Sequence, residues 1–122
     1  MIELELPIET VSEANTHTHW RERQRRAKKQ RQEAARALER AITARGGQPL
    51  EMPLQVTLVR VGPRALDSDN LQGALKHVRD GIADAVGIDD RDSRYHWRYE
   101  QARGRPLAVR ITIEIEQSEE AA

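Results

Sequence analysis

The chain has 122 residues and no cysteine. It has no apolar run near the ~20 residues of a membrane span and no secretory pattern at "MIELELPIE", so disulfides, membrane spans and secretion lack support and one cytoplasmic domain is expected. Twenty Lys and Arg balance twenty Asp and Glu, yet the charges are segregated: residues 1–14 carry four Glu and no base, and residues 114–122 carry four more Glu. Between them, residues 17–45 hold ten bases against three acids, a segment of net +7 that is suited to phosphates.

Taken in chain order, "IELELP" alternates apolar and acidic residues with period two, which predicts a half-buried strand. Residues 15–18 read as a loop. A helix is predicted from about Thr18, as N-cap with Glu22 in the first turn, to Arg45 before Gly46 and Gly47. Its apolar positions, Ala27, Ala34, Leu38, Ala41 and Ile42, lie mostly in the second half, so the "RERQRRAKKQR" half is expected to be solvated. "LQVTLVR" is a second strand. Asn70 to Val86 is a second helix, with Leu71, Leu75, Val78, Ile82 and Val86 on one face and Gly87 at its end. "RYHWRYEQ" and "LAVRITIEIE", separated by "ARGRP", alternate cleanly and most simply form an antiparallel hairpin. The order β-α-β-α-β-β predicts an α+β domain, a mixed sheet with helices packed on it.

The second helix carries carboxylates at both ends. Asp69 directly precedes its predicted start, where a side-chain oxygen caps free N–H groups and a negative charge meets the positive end of the dipole. That explains Asp69 but neither Asp67 nor the group Asp84, Asp89, Asp90 and Asp92 at the other end, where the dipole disfavours acid. Such a cluster needs a compensating cation. Arg91 or Arg94 in a surface network is one source, and a divalent metal is the other. Magnesium (Mg2+) suits sparse carboxylates because it keeps waters that phosphate oxygens can replace. An EF-hand is excluded, since Leu71 stands where its loop needs a ligand and Gln72 where it needs glycine.

The stretch Asp67-x-Asp69-Asn70-Leu71, followed by Lys76 in the helix, Gly87 at its end and the pair Asp89-Asp90, resembles the RusA-type Holliday junction resolvases. The resemblance runs more weakly through the early strand, Asn15, the basic helix and the closing strands. It implies a magnesium-dependent endonuclease on four-way DNA junctions, a homodimer of mixed α/β subunits, with Asp67, Asp69 and Asp90 holding the metal and Lys76 assisting. Asp89 is the alternative to Asp90 as ligand.

In that family the lysine usually follows the second Asp by four residues, where this chain has Gly73. Seven residues after Asp69, Lys76 lies within roughly 20° of the same helical stripe but ~10 Å farther along. Two readings stand: Lys76 lies back over the bare Gly73 turn toward the acids, or it pairs with Asp80 at i, i+4. Backbone binding falls to Arg21, Arg23, Arg25, Arg26, Lys28, Lys29 and Arg31, whose contacts to phosphate are independent of sequence. Beside them Trp20 is a candidate for stacking on a base, while His17 and His19 have poor zinc spacing. Two other functions fit the same residues: a non-catalytic nucleic-acid-binding protein with a degenerate acidic site, and a magnesium-dependent enzyme acting on another phosphate substrate.

Overall fold

The alternation in "IELEL" and "LQVTLVR" and the helical stripes on either side appear in the computed structural model, which describes residues 1–10 and 20–116. In chain order the elements are β1 (Ile2–Leu6), α1 (Trp20–Ala44), β2 (Leu54–Gly62), α2 (Ser68–Val86), β3 (Tyr95–Arg103) and β4 (Ala108–Ile115). This is the predicted order, and the fold is α+β with a mixed sheet. The loop at Asn15, the cap at Thr18 and the histidines His17 and His19 lie outside the described residues.

The strand order is β1-β4-β2-β3, with β1 and β2 antiparallel to β4 and β3 parallel to β2. The predicted hairpin is therefore absent. β2 lies between the two strands that "ARGRP" joins, and the link crosses its end, where Gly104 N–H donates to Gly62 O at 3.1 Å. Burial explains the arrangement. Leu54, Val56 and Leu58 of β2 are fully buried and belong in the middle of a sheet, whereas β3 turns His96, Arg98 and Glu100 to solvent, as an edge strand should.

Register sets one apolar face: Ile2, Leu4 and Leu6 stand beside Ile113, Ile111 and Val109, which face Val56, Leu58 and Arg60 of β2. On the far side of β2 the same row continues as Tyr95, Trp97, Tyr99 and Gln101. The core joins this face to Ala34, Ala37 and Leu38 of α1 and to Leu71, Leu75, Val78 and Ile82 of α2. The helices pack closely at Gly81, where a Cβ would collide with the Arg31 carbonyl oxygen and lie 2.8 Å from Ala34 Cβ. α2 ends at Gly87 in the left-handed conformation, φ 85°, whose N–H closes on Ala83 O.

The buried residues of α1 are Gln30, Ala34, Ala37 and Leu38, so the basic half is solvated as expected through Lys29, but Gln30, expected among the solvated residues, is buried and donates to Glu9 O. At 1.5 Å per residue α1 is about 37 Å long.

Candidate active site at the ends of α2

Helix α2 begins at Ser68, and its N-cap is Asp67, not Asp69. Asp67 sits in extended backbone and its Oδ1 accepts from Asn70 N–H at 3.0 Å. Both residues are competent caps, and the helix simply starts two residues earlier than expected. Asp69 thus occupies the first turn with no capping duty, where its charge still favours the dipole. Both carboxylates are exposed.

The approach to Asp67 is held from below by neighbours in the sheet. Gln101 Nε2 donates to Leu66 O at 2.7 Å while its Oε1 accepts from Leu66 N–H at 2.8 Å. Its register partner Arg60 donates from Nη1 to Arg64 O at 2.6 Å and from Nε to Thr10 Oγ1 at 3.0 Å. Sequence reasoning missed both residues. The signal was phase: Arg60 follows Leu54, Val56 and Leu58 on the inward row, and Gln101 follows Tyr95, Trp97 and Tyr99, so each is a polar residue where the pattern calls for an apolar one.

At the other end of α2 the acids have found arginines. Asp84 takes a bidentate pair from Arg31 at 2.6 and 2.8 Å. That hydrogen bonding holds the Asp84 carboxyl below its usual range and the Arg31 guanidinium above its own. Asp89 accepts from the Arg91 N–H at 2.8 Å, and Arg94 grips Asp92 at 3.0 Å, which lowers Asp89 and takes Asp92 down to about 2. Of the two sources of compensating cation the sequence left open, Arg91 and Arg94 are present beside Asp89 and Asp92.

Asp90 is the most constrained of the group. Arg79 Nε donates to its Oδ2 at 2.8 Å, and Arg79 Nη2 and Trp97 Nε1 both donate to its carbonyl oxygen, at 3.0 and 2.9 Å. The Arg79 guanidinium lies 4.7 Å from the centre of the Trp97 ring, which stacks on Tyr95. It also donates to Tyr99 Oη at 2.6 Å. Burial disfavours charge on Arg79, but the Tyr99 and Asp90 contacts outweigh it and raise its pKa. Burial also pushes the Tyr95 hydroxyl up to about 12, while it donates to Ile88 O at 2.8 Å.

Lys76 Nζ lies 3.5 Å from Asp80 Oδ2, the i, i+4 pairing. Gly73 has nothing within 4 Å of a would-be Cβ, so the turn between Lys76 and Asp69 is clear. A groove of about 350 Å³ passes Gln72, Gly73, Lys76, Arg79, Asp90 and Tyr99, placing Lys76 and Asp90 on one surface.

The predicted ligands do not all meet. Asp67 and Asp69 stand at the start of a 19-residue helix, about 28 Å long, and Asp89 and Asp90 follow its end. Among the described residues no three His, Cys, Asp or Glu side chains are placed to share an ion. Asp67 and Asp69 alone fit magnesium as a donor set, because they are exposed hard oxygens with no competing cation among the described residues and such an ion is content with one or two carboxylates and water.

Of the predicted backbone-binding residues, Arg31 is committed to Asp84, and Lys29 lies 3.9 Å from Glu33. Arg23, Arg25 and Lys28 are exposed and make no ion pair among the described residues. Arg21 lies 5.8 Å from the Trp20 ring, which is half-exposed, and Arg26 borders a cavity beside Glu9 and Gln30. Among the described residues no helix is long and apolar enough to cross a membrane.

Compared with models of known protein families and with curated proteins, the sequence matches none.

Proposed function

We propose that this chain is a magnesium-dependent, structure-specific DNA endonuclease that hydrolyses phosphodiesters at four-way junctions and works as a homodimer. One observation carries the reading. Of the seven aspartates in the chain, Asp80, Asp84, Asp89, Asp90 and Asp92 each have a Lys or Arg partner, whereas Asp67 and Asp69 have none among the described residues. These two are also the aspartates of the Asp-x-Asp-Asn-Leu motif, the most specific part of the likeness to the RusA-type resolvases. Exposed carboxylates that meet no cation among the described residues, at the start of a helix whose lead-in loop is anchored by Arg60 and Gln101, suit a metal-binding task better than a structural one.

Mg2+ bound there supplies charge neutralisation at a phosphate and a more acidic water. The protein's own residues divide the remaining work. Asp67 spends one oxygen on the helix cap and offers the other, and Asp69 offers both. Lys76, one turn beyond the bare Gly73 position, swings from Asp80 toward the phosphate. Asp90, or Asp89 in its place, is the third acid the resemblance implies; it stands past the far end of α2 and would join only by leaving its arginine and moving toward Asp67 and Asp69. Arg23, Arg25 and Lys28 hold the DNA backbone away from the acids.

The reading is tested by incubating purified protein with a synthetic four-way junction, with magnesium and with a chelator. Symmetric nicking in magnesium alone is expected, and an intact junction at micromolar protein would overturn it. A second reading, a nucleic-acid-binding protein without catalysis, is favoured by one observation: Arg79, Arg91 and Lys76 already neutralise Asp90, Asp89 and Asp80. In that case the junction is bound in chelator and never cut. A magnesium-dependent enzyme on another phosphate substrate would explain Asp67 and Asp69 but gives the solvated basic helix no task.

A further inference from the structure

Among the described residues Arg60 is a buried cation without an anion. It is 8% exposed, it lies on the core-facing row of β2, and its hydrogen-bond partners are neutral: the Thr10 hydroxyl and the Arg64 carbonyl. No carboxylate among the described residues lies within ion-pair distance of it. Removing a guanidinium from water without a counter-charge is expensive, and an apolar residue in phase with Leu54, Val56 and Leu58 would avoid that cost. A pure anchor for the Arg64 carbonyl would not need a full charge.

Two further features give the charge a direction. A guanidinium carries a fork of five N–H donors, and here only Nε and one Nη1 hydrogen are used. No fully buried side-chain nitrogen or oxygen among the described residues lacks a hydrogen-bond partner, so Nη2, which has none, keeps a window to solvent. The guanidinium lies over Gly62, where a Cβ would sit 3.0 Å from Nη2 and 3.1 Å from the guanidinium carbon. The absent side chain leaves room for the planar group. The position is the carboxyl end of parallel strands β2 and β3, directly below the loop that presents Asp67 and Asp69.

We infer that Arg60 is an anion-binding residue that takes the non-bridging oxygens of a phosphate through Nη1 and Nη2, next to the two unpaired aspartates. A bidentate fork to two phosphate oxygens is the geometry guanidinium groups favour. Arg60 would hold a phosphodiester beside Asp67 and Asp69 and supply the positive charge those acids lack. In its detail this rests on the endonuclease reading, since the phosphate is taken to belong to a nucleic-acid backbone. The anion site itself does not.

Inorganic phosphate is therefore the probe. Thermal melting is followed in phosphate and in chloride at equal ionic strength, for the wild type, Arg60→Gln, Arg60→Lys and Gly62→Ala. Phosphate should raise the wild-type melting temperature above its value in chloride. Arg60→Gln should lose the increment, Arg60→Lys should keep part of it, and Gly62→Ala should reduce it because its methyl group crowds the guanidinium at 3.0–3.1 Å. Should Arg60→Gln fail to fold, Gly62→Ala decides, since it keeps the charge and moves only the end of a flexible side chain. An equal phosphate increment in Arg60→Gln or Gly62→Ala, or none in the wild type, overturns the inference. If the increment follows Arg60 while the junction is never cut, the anion site stands and the endonuclease reading falls.

Discussion

Asp67 and Asp90 are both aspartates of the proposed site, yet a change to asparagine should act on them by different routes. Asparagine caps a helix as well as aspartate does, so Asp67→Asn keeps the bond to Asn70 N–H and the stability of α2, whereas Asp67→Ala costs ~1 kcal/mol. Among the described residues Asp69 has no side-chain bond to lose. Asp67→Asn and Asp69→Asn should therefore melt like the wild type while magnesium-dependent cleavage disappears; full activity in Asp69→Asn would remove the metal assignment. Asp90→Asn leaves Arg79 half-paired between Trp97 and Tyr99, so it should lose activity and also about 1–3 kcal/mol of stability, read by denaturant titration. Asp89→Asn, on an exposed loop, should hurt less in both assays. Acid acts through the remaining pairs. Hydrogen bonds from Arg31 and Arg94 depress the folded-state pKa of Asp84 and of Asp92, the latter to about 2. Their contribution is complete above the unfolded value near ~4 and is lost as pH falls through the depressed folded values. Circular dichroism from pH 5 to pH 2 should show stability falling over that window and Asp84→Asn falling less steeply; a parallel decline would mean that the Arg31 pair contributes nothing.

Helix α2 is the element on which most of the sequence reading turned, and its two mid-helix glycines behave oppositely. Gly81 is where α1 and α2 meet, so Gly81→Ala should push them apart and cost about 1–3 kcal/mol although alanine is the better helix former. Gly73 faces open space, so Gly73→Lys combined with Lys76→Ala should fold at least as well as the wild type. Nuclease assays on this variant ask whether a lysine at either turn can serve the acids. If it and Lys76→Met both cleave at wild-type rate, the lysine has no catalytic part. The contrast also shows what could be read in advance. Periodicity placed all six elements, because burial of one face leaves a period in the chain. It could not show which strands are neighbours: "RYHWRYEQ" and "LAVRITIEIE" each report one buried face, and that pattern is the same beside each other or with β2 between them. The Asp-x-Asp-Asn-Leu motif was visible as a local spacing. The Arg79–Asp90 clamp, the Arg31–Asp84 pair and the charge at Arg60 depend on contacts between distant segments, of which only a polar residue in an apolar phase gave warning.

At the scale of the whole molecule the charges are sorted into regions. The sheet's outward face carries Glu3, Glu5 and Arg110, with Arg110 bonded to Glu5 at 2.9 Å, while the acids past α2 are met one by one by arginines. Among the described residues Asp67 and Asp69 at one site, and Arg23, Arg25 and Lys28 in the first half of α1 at another, make no ion pair. A junction has twofold symmetry, so a homodimer with one site per subunit would match it and would present the basic half of α1 twice, toward opposite arms. Arg23, Arg25 and Lys28 test this because they are exposed and make no ion pair among the described residues, so changing them to glutamine leaves every described structural contact in place. Melting temperature and dimer mass by sedimentation should be unchanged in the triple variant. Each lost phosphate contact removes about 0.9 from the slope of log affinity against log salt, so the triple variant should bind the junction far more weakly at low salt and with a slope lower by about 2 to 3. Arg31 is the internal control: held by Asp84, it should leave the slope almost untouched when replaced. An unchanged slope in the triple variant, or a wild-type monomer at micromolar concentration, would detach the basic helix from DNA binding and return the chain to a phosphate enzyme that does not use it.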